Sequence, residues 1–357
     1  MTKTRKKALF FIQNGVGGAE RMTVNIQKCL PAEEWEVTYC KVVIPLILQS
    51  GRIDNIIPAG VNITSIVWSG QLSLLRQMRK MIAEVKPDVV FSSAMHINQR
   101  LLLISKLFNN IKFIVRNDNY LYTLPWLKQK TLGKLYKYAD TVIAQTEEMA
   151  EELTAIRIPS QKIVVVHNMI DKERIDSLVK EASPYRNSDT IKFVGVGRVA
   201  YEKGFDLLIE AFATVLKTKP QSELFIVGNT GYQGGNVYKG LLQRIKEIGI
   251  ANKVHFTGYT DNPYKYIKNA DVFVLSSRNE GLPNVLIEAQ YLGIPAAAFK
   301  CIPIIERIVA NNVNGFLADK ESVESLSKAM LAAYDLNKIK PTYHGTSNDD
   351  ICSIFNS

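Results

Sequence analysis

Short apolar runs alternate with helical patterns twice along this chain, and that repetition restricts its fold more than any single motif. In the first half, ALFFI (8–12), VTYCKVV (37–43), DVVFSS (88–93), KFIVR (112–116) and TVIAQT (141–146) read as strands. Helical spacing fills 19–30, 71–85 and 97–108 between them. The pattern restarts with IKFVGVGR (191–198), ELFIVG (223–228), KVHFTG (253–258), DVFVLSS (271–277) and PAAAF (295–299), with helices at 204–217, 238–248 and 283–292. Such alternation predicts parallel sheets covered by helices on both faces, an α/β architecture. At 357 residues the chain exceeds one ordinary core. Two facing Rossmann-like doubly wound domains are therefore expected, at 1–175 and 176–345. Open parallel sheets bind ligands beyond the carboxyl ends of their strands, so the expected site is an interdomain cleft lined by loops that follow strands.

Composition narrows the classes. The basic head MTKTRKK precedes an apolar run too short for a signal peptide, and no segment approaches membrane-spanning length. The four cysteines are scattered with no CxxC pair, which argues against a disulfide framework or zinc site and fits a cytoplasmic location. The net charge of +10 is uneven: residues 1–170 hold 22 Lys+Arg against 13 Asp+Glu, and 171–357 hold 22 against 21. The basic first half suits an anionic partner: nucleic acid, a membrane surface or a phosphorylated substrate.

Three stretches after strands carry chemistry. GVGGAER (15–21) permits close backbone approach and opens a helix whose free N–H groups suit an anion. It lacks the last glycine of a dinucleotide fingerprint, and a ligand-free tight turn is the alternative. Any diphosphate there would meet Gly17 and Gly18 rather than Glu20. GVGRVAYEKGFD (195–206) offers Arg198 as a planar fork and Lys203 as a point charge to one diphosphate. RNEGLPNVLIEAQ (278–290) places Glu280 before a helix start at Pro283, where a capping role is the alternative. Glu288 lies inside the apolar helix, and a carboxylate there could accept two ribose hydroxyl protons.

In order along the chain, GGAER, GR…EKGFD, VHFTGY and Glu280-x7-Glu288 resemble glycosyltransferase family 4, the retaining nucleotide-sugar enzymes of GT-B fold. The resemblance covers most of the chain and is strongest over 193–295; no DxD motif occurs. It implies that Gly17, Gly18, Arg198 and Lys203 hold the donor diphosphate, and that Glu288 holds the ribose. Glu280 would contact the transferred sugar beside the Gly281, Leu282 and Pro283 backbone, with Gly258 and Tyr259 at the base pocket. His96 stands where the family often has a sugar-contacting histidine, with a structural histidine as the alternative. Arg116 is a candidate for phosphate or acceptor. Glu280, His96, Arg198 and Lys203 are thus the expected catalytic set. Two departures stand out: CIPIIERIV (301–309) lacks the family's glycines, with Glu306 matching its acid there, and the C-terminus is short. Residues 346–357 are expected to start a helix that crosses back onto the first domain.

The expected reaction is retaining and needs neither metal nor cofactor. Arg198, Lys203 and helix starts stabilise charge on the leaving diphosphate while an acceptor hydroxyl attacks from the same face. The resemblance favours a UDP-sugar over a GDP-sugar and a saccharide or polyprenyl-diphosphate-linked acceptor in surface-polysaccharide assembly. LLRQMRKMIAEVK (74–86) and LPWLKQKTLGKLYKY (124–138) could lie on an anionic membrane, with solvated helices as the alternative. Rival readings are a sugar-nucleotide epimerase on the same fold and a non-catalytic sugar-nucleotide-binding paralogue. Nucleic-acid binding is not expected, because no stacking platform or recognition motif accompanies the charge.

Overall fold

The computed structural model describes residues 4–15, 17–44, 53–186, 189–231, 235–342 and 348–356. They fall into two compact units, residues 1–169 with 344–357, and residues 170–343. The expected boundary at 175 lies inside a helix of the second unit, where Ile175 is buried.

The first unit alternates β1 (Lys6–Gln13), α1 (Gly18–Lys28), β2 (Trp35–Val43), β3 (Asn62–Val67), α2 (Gln71–Val85), β4 (Val89–Ser92) and α3 (Met95–Ile104). It continues through β5 (Lys112–Arg116), α4 (Trp126–Tyr136), β6 (Thr141–Ala144), α5 (Glu147–Ala155) and β7 (Ile163–Val165). Its strands are all parallel among the described residues, in the order β3-β2-β1-β4-β5-β6-β7. Central strands read as unbroken apolar runs because both faces are covered; Ala8, Leu9, Phe10 and Phe11 have no exposed surface. The edge strand β3 has no such run, and β7 is apolar but only three residues long. NITSIV is largely exposed on its outer side, so the apolar pattern that reveals a central strand is missing there. α5 begins where the Thr146 hydroxyl accepts from Met149 N–H, with Glu147 and Glu148 in its first turn.

The second unit comprises α6 (Lys172–Leu178), β8 (Ile191–Val196), α7 (Phe205–Thr218), β9 (Ser222–Val227), α8 (Asn236–Glu247), β10 (Val254–Gly258) and α9 (Tyr264–Lys268). After these come β11 (Val272–Leu275), α10 (Asn284–Tyr291), β12 (Ala296–Phe299), α11 (Ile304–Ile308), β13 (Gly315–Ala318) and α12 (Val323–Asp335). Its parallel order is β10-β9-β8-β11-β12-β13. The last helix, α13 (Asn348–Asn356), returns to the first unit, burying Ile351, Ile354 and Phe355. The Phe355 ring stacks 5.8 Å from Phe10 and meets the edge of Trp35 at 6.1 Å. Residues 346, 347 and 357 of the expected crossover lie outside the described residues.

Both strand orders reverse direction once. In the first unit the reversal lies between β1 and β4, and in the second between β8 and β11. The loops leaving the two strands of each such pair run to opposite faces of the sheet, opening a crevice at their carboxyl ends. Residues 13–18 and 93–96 follow the first pair; residues 197–204 and 276–283 follow the second.

Candidate functional site

In the second unit, two loops at the β8/β11 reversal are bound tightly to each other. Gly204 adopts φ +61°, and a Cβ there would stand 2.0 Å from the Ser276 carbonyl oxygen, so only glycine allows this approach. Ser276 Oγ donates to the Lys203 carbonyl at 2.9 Å, and Arg278 N–H donates to the Glu202 carbonyl at 2.8 Å. The Arg278 guanidinium forms two bonds to the Asp206 carboxylate, at 2.8 and 2.6 Å. It also pairs with Glu321 at 3.2 Å and lies 4.1 Å over the Tyr201 ring. These bonds to Asp206 raise the Arg278 pKa further above its ordinary value. Burial pushes the Asp206 carboxyl up, but the hydrogen bonds and charge of Arg278 outweigh it and hold the pKa below the ordinary value.

That scaffold presents Lys203 and Glu280. Lys203 Nζ lies 2.7 Å from Glu280 Oε1, and Ser277 Oγ donates to the same oxygen at 2.6 Å. Both charged side chains are largely buried, and the lysine stem passes against Gly197. Glu280 therefore does not cap α10; Pro283 is the N-cap residue, one position earlier than a first-turn proline, and no side chain caps that end. Leu286 N–H donates to the Pro283 carbonyl at 2.9 Å to close the first turn, and the positive end of the helix favours an anion nearby. Gly281 and Leu282 are half-buried beside Glu280. The Arg198 guanidinium is half-exposed and pairs with Glu202 at 3.5 Å.

Glu288 is 7% exposed within α10, and Tyr264 donates to its Oε1 at 3.1 Å. Gly258 takes φ +74° at the end of β10, and its carbonyl accepts from Gly228 N–H at 3.0 Å. Tyr259 beyond it is partly exposed, its hydroxyl donating to Asp261 at 2.8 Å. The departing loop 301–309 contains α11, with Glu306 exposed in it. Burial, and after it the nearby Glu280 charge, push the Cys301 thiol up to about 12, so this sulfur stays protonated behind the site. Tyr264, Ser277 and Arg278 are site residues that sequence reasoning missed. Arg278 and Ser277 adjoin the Asn279-Glu280 pair in sequence, whereas Tyr264 carries no signal of its own.

In the first unit, the β1/β4 reversal holds a cavity of about 400 Å³ whose polar lining includes Gln13, Glu20, His96, Asp118, Thr123 and Lys128. Gln13 Nε2 lies 2.6 Å from His96 Nε2. An amide nitrogen only donates, so the ring nitrogen facing it carries no proton. Burial, then the charges of Arg100 and Lys128, lower the His96 pKa to about 4. Burial likewise pushes the Asp118 carboxyl up against the opposing pull of Arg116. The Gly17 N–H donates to the Glu20 carboxylate at 3.0 Å, so this anion already occupies the amide expected to meet phosphate; Gly18 begins α1. Val16 of that motif lies outside the described residues. Arg116 is 1% exposed and donates to Asn168, and it is not among the residues that line the cavity. Asp118, two residues on, does line it.

The chain matches two family models. Residues 163–344 match glycosyl transferases group 1, and residues 16–174 match Glycosyltransferase Family 4. An uncharacterized glycosyltransferase of Methanocaldococcus jannaschii is 32% identical over 239 residues, which is 62% of this chain and 58% of that protein. N-acetylgalactosamine-N,N'-diacetylbacillosaminyl-diphospho-undecaprenol 4-alpha-N-acetylgalactosaminyltransferase of Campylobacter jejuni is 24% identical over 95% of this chain and 93% of its own length. Among solved structures, HepE of Anabaena, in complex with UDP and glucose, superposes with a TM-score of 0.78 at 19% identity. That match covers 99% of this chain and 95% of HepE, which is a likeness of fold. Two parallel-sheet units, each with its polar loops at the strand reversal, are thus the GT-B fold, and the chain belongs to the glycosyl transferases group 1 family as a glycosyltransferase.

Proposed function

We propose that this glycosyltransferase moves a sugar from a UDP-sugar to a saccharide carried on a lipid diphosphate, with retention of anomeric configuration and without a metal ion, in surface-polysaccharide assembly. The observation that carries the reading is the second unit's arrangement of Lys203, Glu280 and Ser277 at the β8/β11 reversal, with Glu288 and Tyr264 on α10 and α9. A diphosphate entering there gains Lys203, Arg198 and the positive end of α10, which stabilise negative charge on the leaving group without a divalent cation. Glu288 accepts the ribose hydroxyls, and Glu280, freed in part from Lys203, accepts from the sugar. The acceptor hydroxyl attacks the anomeric carbon as the bond to the diphosphate breaks, and the leaving phosphate oxygen takes its proton. A second carboxylate is not required as a covalent nucleophile.

The first unit's cavity is the proposed acceptor site. Neutral His96, Gln13, Asp118 and Thr123 offer the mixed donors and acceptors that hydroxyl groups need. The Campylobacter relative's name describes transfer to an undecaprenol-linked saccharide, which supports a lipid-linked acceptor and peripheral contact with a membrane. The family match and the transferase relatives weigh against an epimerase.

The test is thermal-shift binding of UDP-, GDP- and ADP-sugars without metal, on the native chain and on Glu288→Ala and Lys203→Ala. Stabilisation by UDP-sugars alone, lost in both variants, is expected. Stabilisation by no donor would overturn the donor site, and conversion of a donor without any acceptor would favour the epimerase. NMR of the anomeric proton in the product reads retention directly.

A further inference from the structure

Helices α2, α3 and α4 follow β3, β4 and β5 and pack side by side. α4 turns Leu132, Gly133 and Tyr136 inward. On its outer side Trp126 is 67% exposed and Leu127 60%, and Lys130 and Lys134 stand beside them with no acid anywhere in the helix. The end of α3 exposes Leu103 and the turn after it Leu107, and Lys106 Nζ sits 4.0 Å over the ring of Tyr138, just beyond α4. α2 adds exposed Leu72, Arg76, Arg79 and Lys80. Across residues 71–138 the sequence holds 12 Lys+Arg and only three acids, Glu84, Asp88 and Asp118.

Large apolar side chains left in water beside a one-signed field call for a partner that is anionic on its surface and apolar beneath it. A polyanion such as RNA satisfies the lysines but not exposed leucines, whereas a bilayer satisfies both. Tryptophan is favoured at the headgroup level, and lysines there gain from anionic lipid. The same segment also serves the first unit's cavity, since Thr123, Leu124 and Lys128 line it immediately around Trp126 and Leu127. We infer that the outer face of α2, α3 and α4 docks on an anionic lipid bilayer. Trp126 and Leu127 insert among the lipids, Lys130 and Lys134 lie at the phosphates, and the cavity is presented to a membrane-borne acceptor. This rests on the acceptor reading above for its purpose, and on the surface itself for its location.

The experiment uses the full chain with vesicles of phosphatidylcholine alone or mixed with phosphatidylglycerol. Trp35 is buried, so in a Trp68→Phe background the fluorescence response reports Trp126. Expected are sedimentation with the mixed vesicles only and a blue shift of that emission. Trp126→Ser with Leu127→Ser should weaken binding at least tenfold, and Lys130→Glu with Lys134→Glu should do the same. Equal binding to both vesicle types, no binding, or native binding by either double variant would overturn the proposal. So would RNA binding lost only in the lysine variant, with no vesicle binding. UDP-sugar stabilisation measured on the same variants separates the two readings. Variants that lose vesicles but keep nucleotide leave the donor site standing, and vesicle binding by a chain that no nucleotide stabilises would refute the transferase reading alone.

Discussion

Glu288 shows how much chemistry one misplaced-looking residue can carry. A carboxylate inside an apolar helix is costly unless bonded, and the Tyr264 hydroxyl supplies one bond. A hydrogen bond to a charged group contributes about 1.5–3 kcal/mol. Glu288→Ala should therefore weaken UDP about 10- to 100-fold, and Tyr264→Phe about tenfold, both read by titration calorimetry. His96 makes a second residue-scale prediction. An unfolded histidine titrates near 6.5, whereas this one titrates at about 4. Between those values the unfolded chain binds the extra proton, so stability falls as pH drops from about 6.5 to about 4. His96→Gln keeps a neutral side chain in place and should lose less Tm than the native chain across that window. Parallel Tm–pH curves would show that His96 is not buried neutral. The sequence made Glu288 conspicuous, because its neighbours are apolar. It left Asp118 and Tyr264 unmarked, because each becomes informative only when distant loops meet.

At the scale of elements, the Arg278 clamp fixes two loops that share no sequence neighbourhood. Asp206 opens α7 and Arg278 follows β11, yet their two-point bond ties the two crevice loops together. The depressed Asp206 pKa means that this bond contributes fully above about pH 4 and is lost as pH falls through the folded-state value. Asp206 is half-exposed, so screening limits the effect to about 0.5–1 kcal/mol. Asp206→Asn should lower Tm slightly at neutral pH, with the gap to the native chain closing below about pH 4. Turnover should fall more than stability, because Lys203 and Glu280 stand on the loosened loops. Unchanged turnover would separate the clamp from the chemistry. Strand β11 and helix α10 were readable from apolar runs and a helix-start proline. The edge strand β3 was not, since a half-covered strand needs no unbroken apolar run, and β7 and β13 are apolar but only three and four residues long.

For the whole molecule, the informative fact is that the chain's last helix completes its first unit. Phe355 fills a site walled by Phe10, Trp35 and Phe91, and Lys112 Nζ donates to the Ile354 carbonyl at 2.6 Å. The Cys352 thiol donates to the Cys29 carbonyl at 2.6 Å on the same surface. Without α13, three aromatic rings of the first core would face water, although the sequence of residues 1–169 already contains every strand of that sheet among the described residues. Phe355→Ala removes a fully packed ring and should cost about 3–5 kcal/mol. Because the loss falls on the first unit, scanning calorimetry should show its transition moving down while that of the second unit stays in place. UDP stabilisation of the second unit should survive, and transfer to acceptor should fall with the first unit's stability. If both transitions moved together, the two units would unfold as one cooperative body, and α13 would stabilise the whole chain rather than close one of its cores.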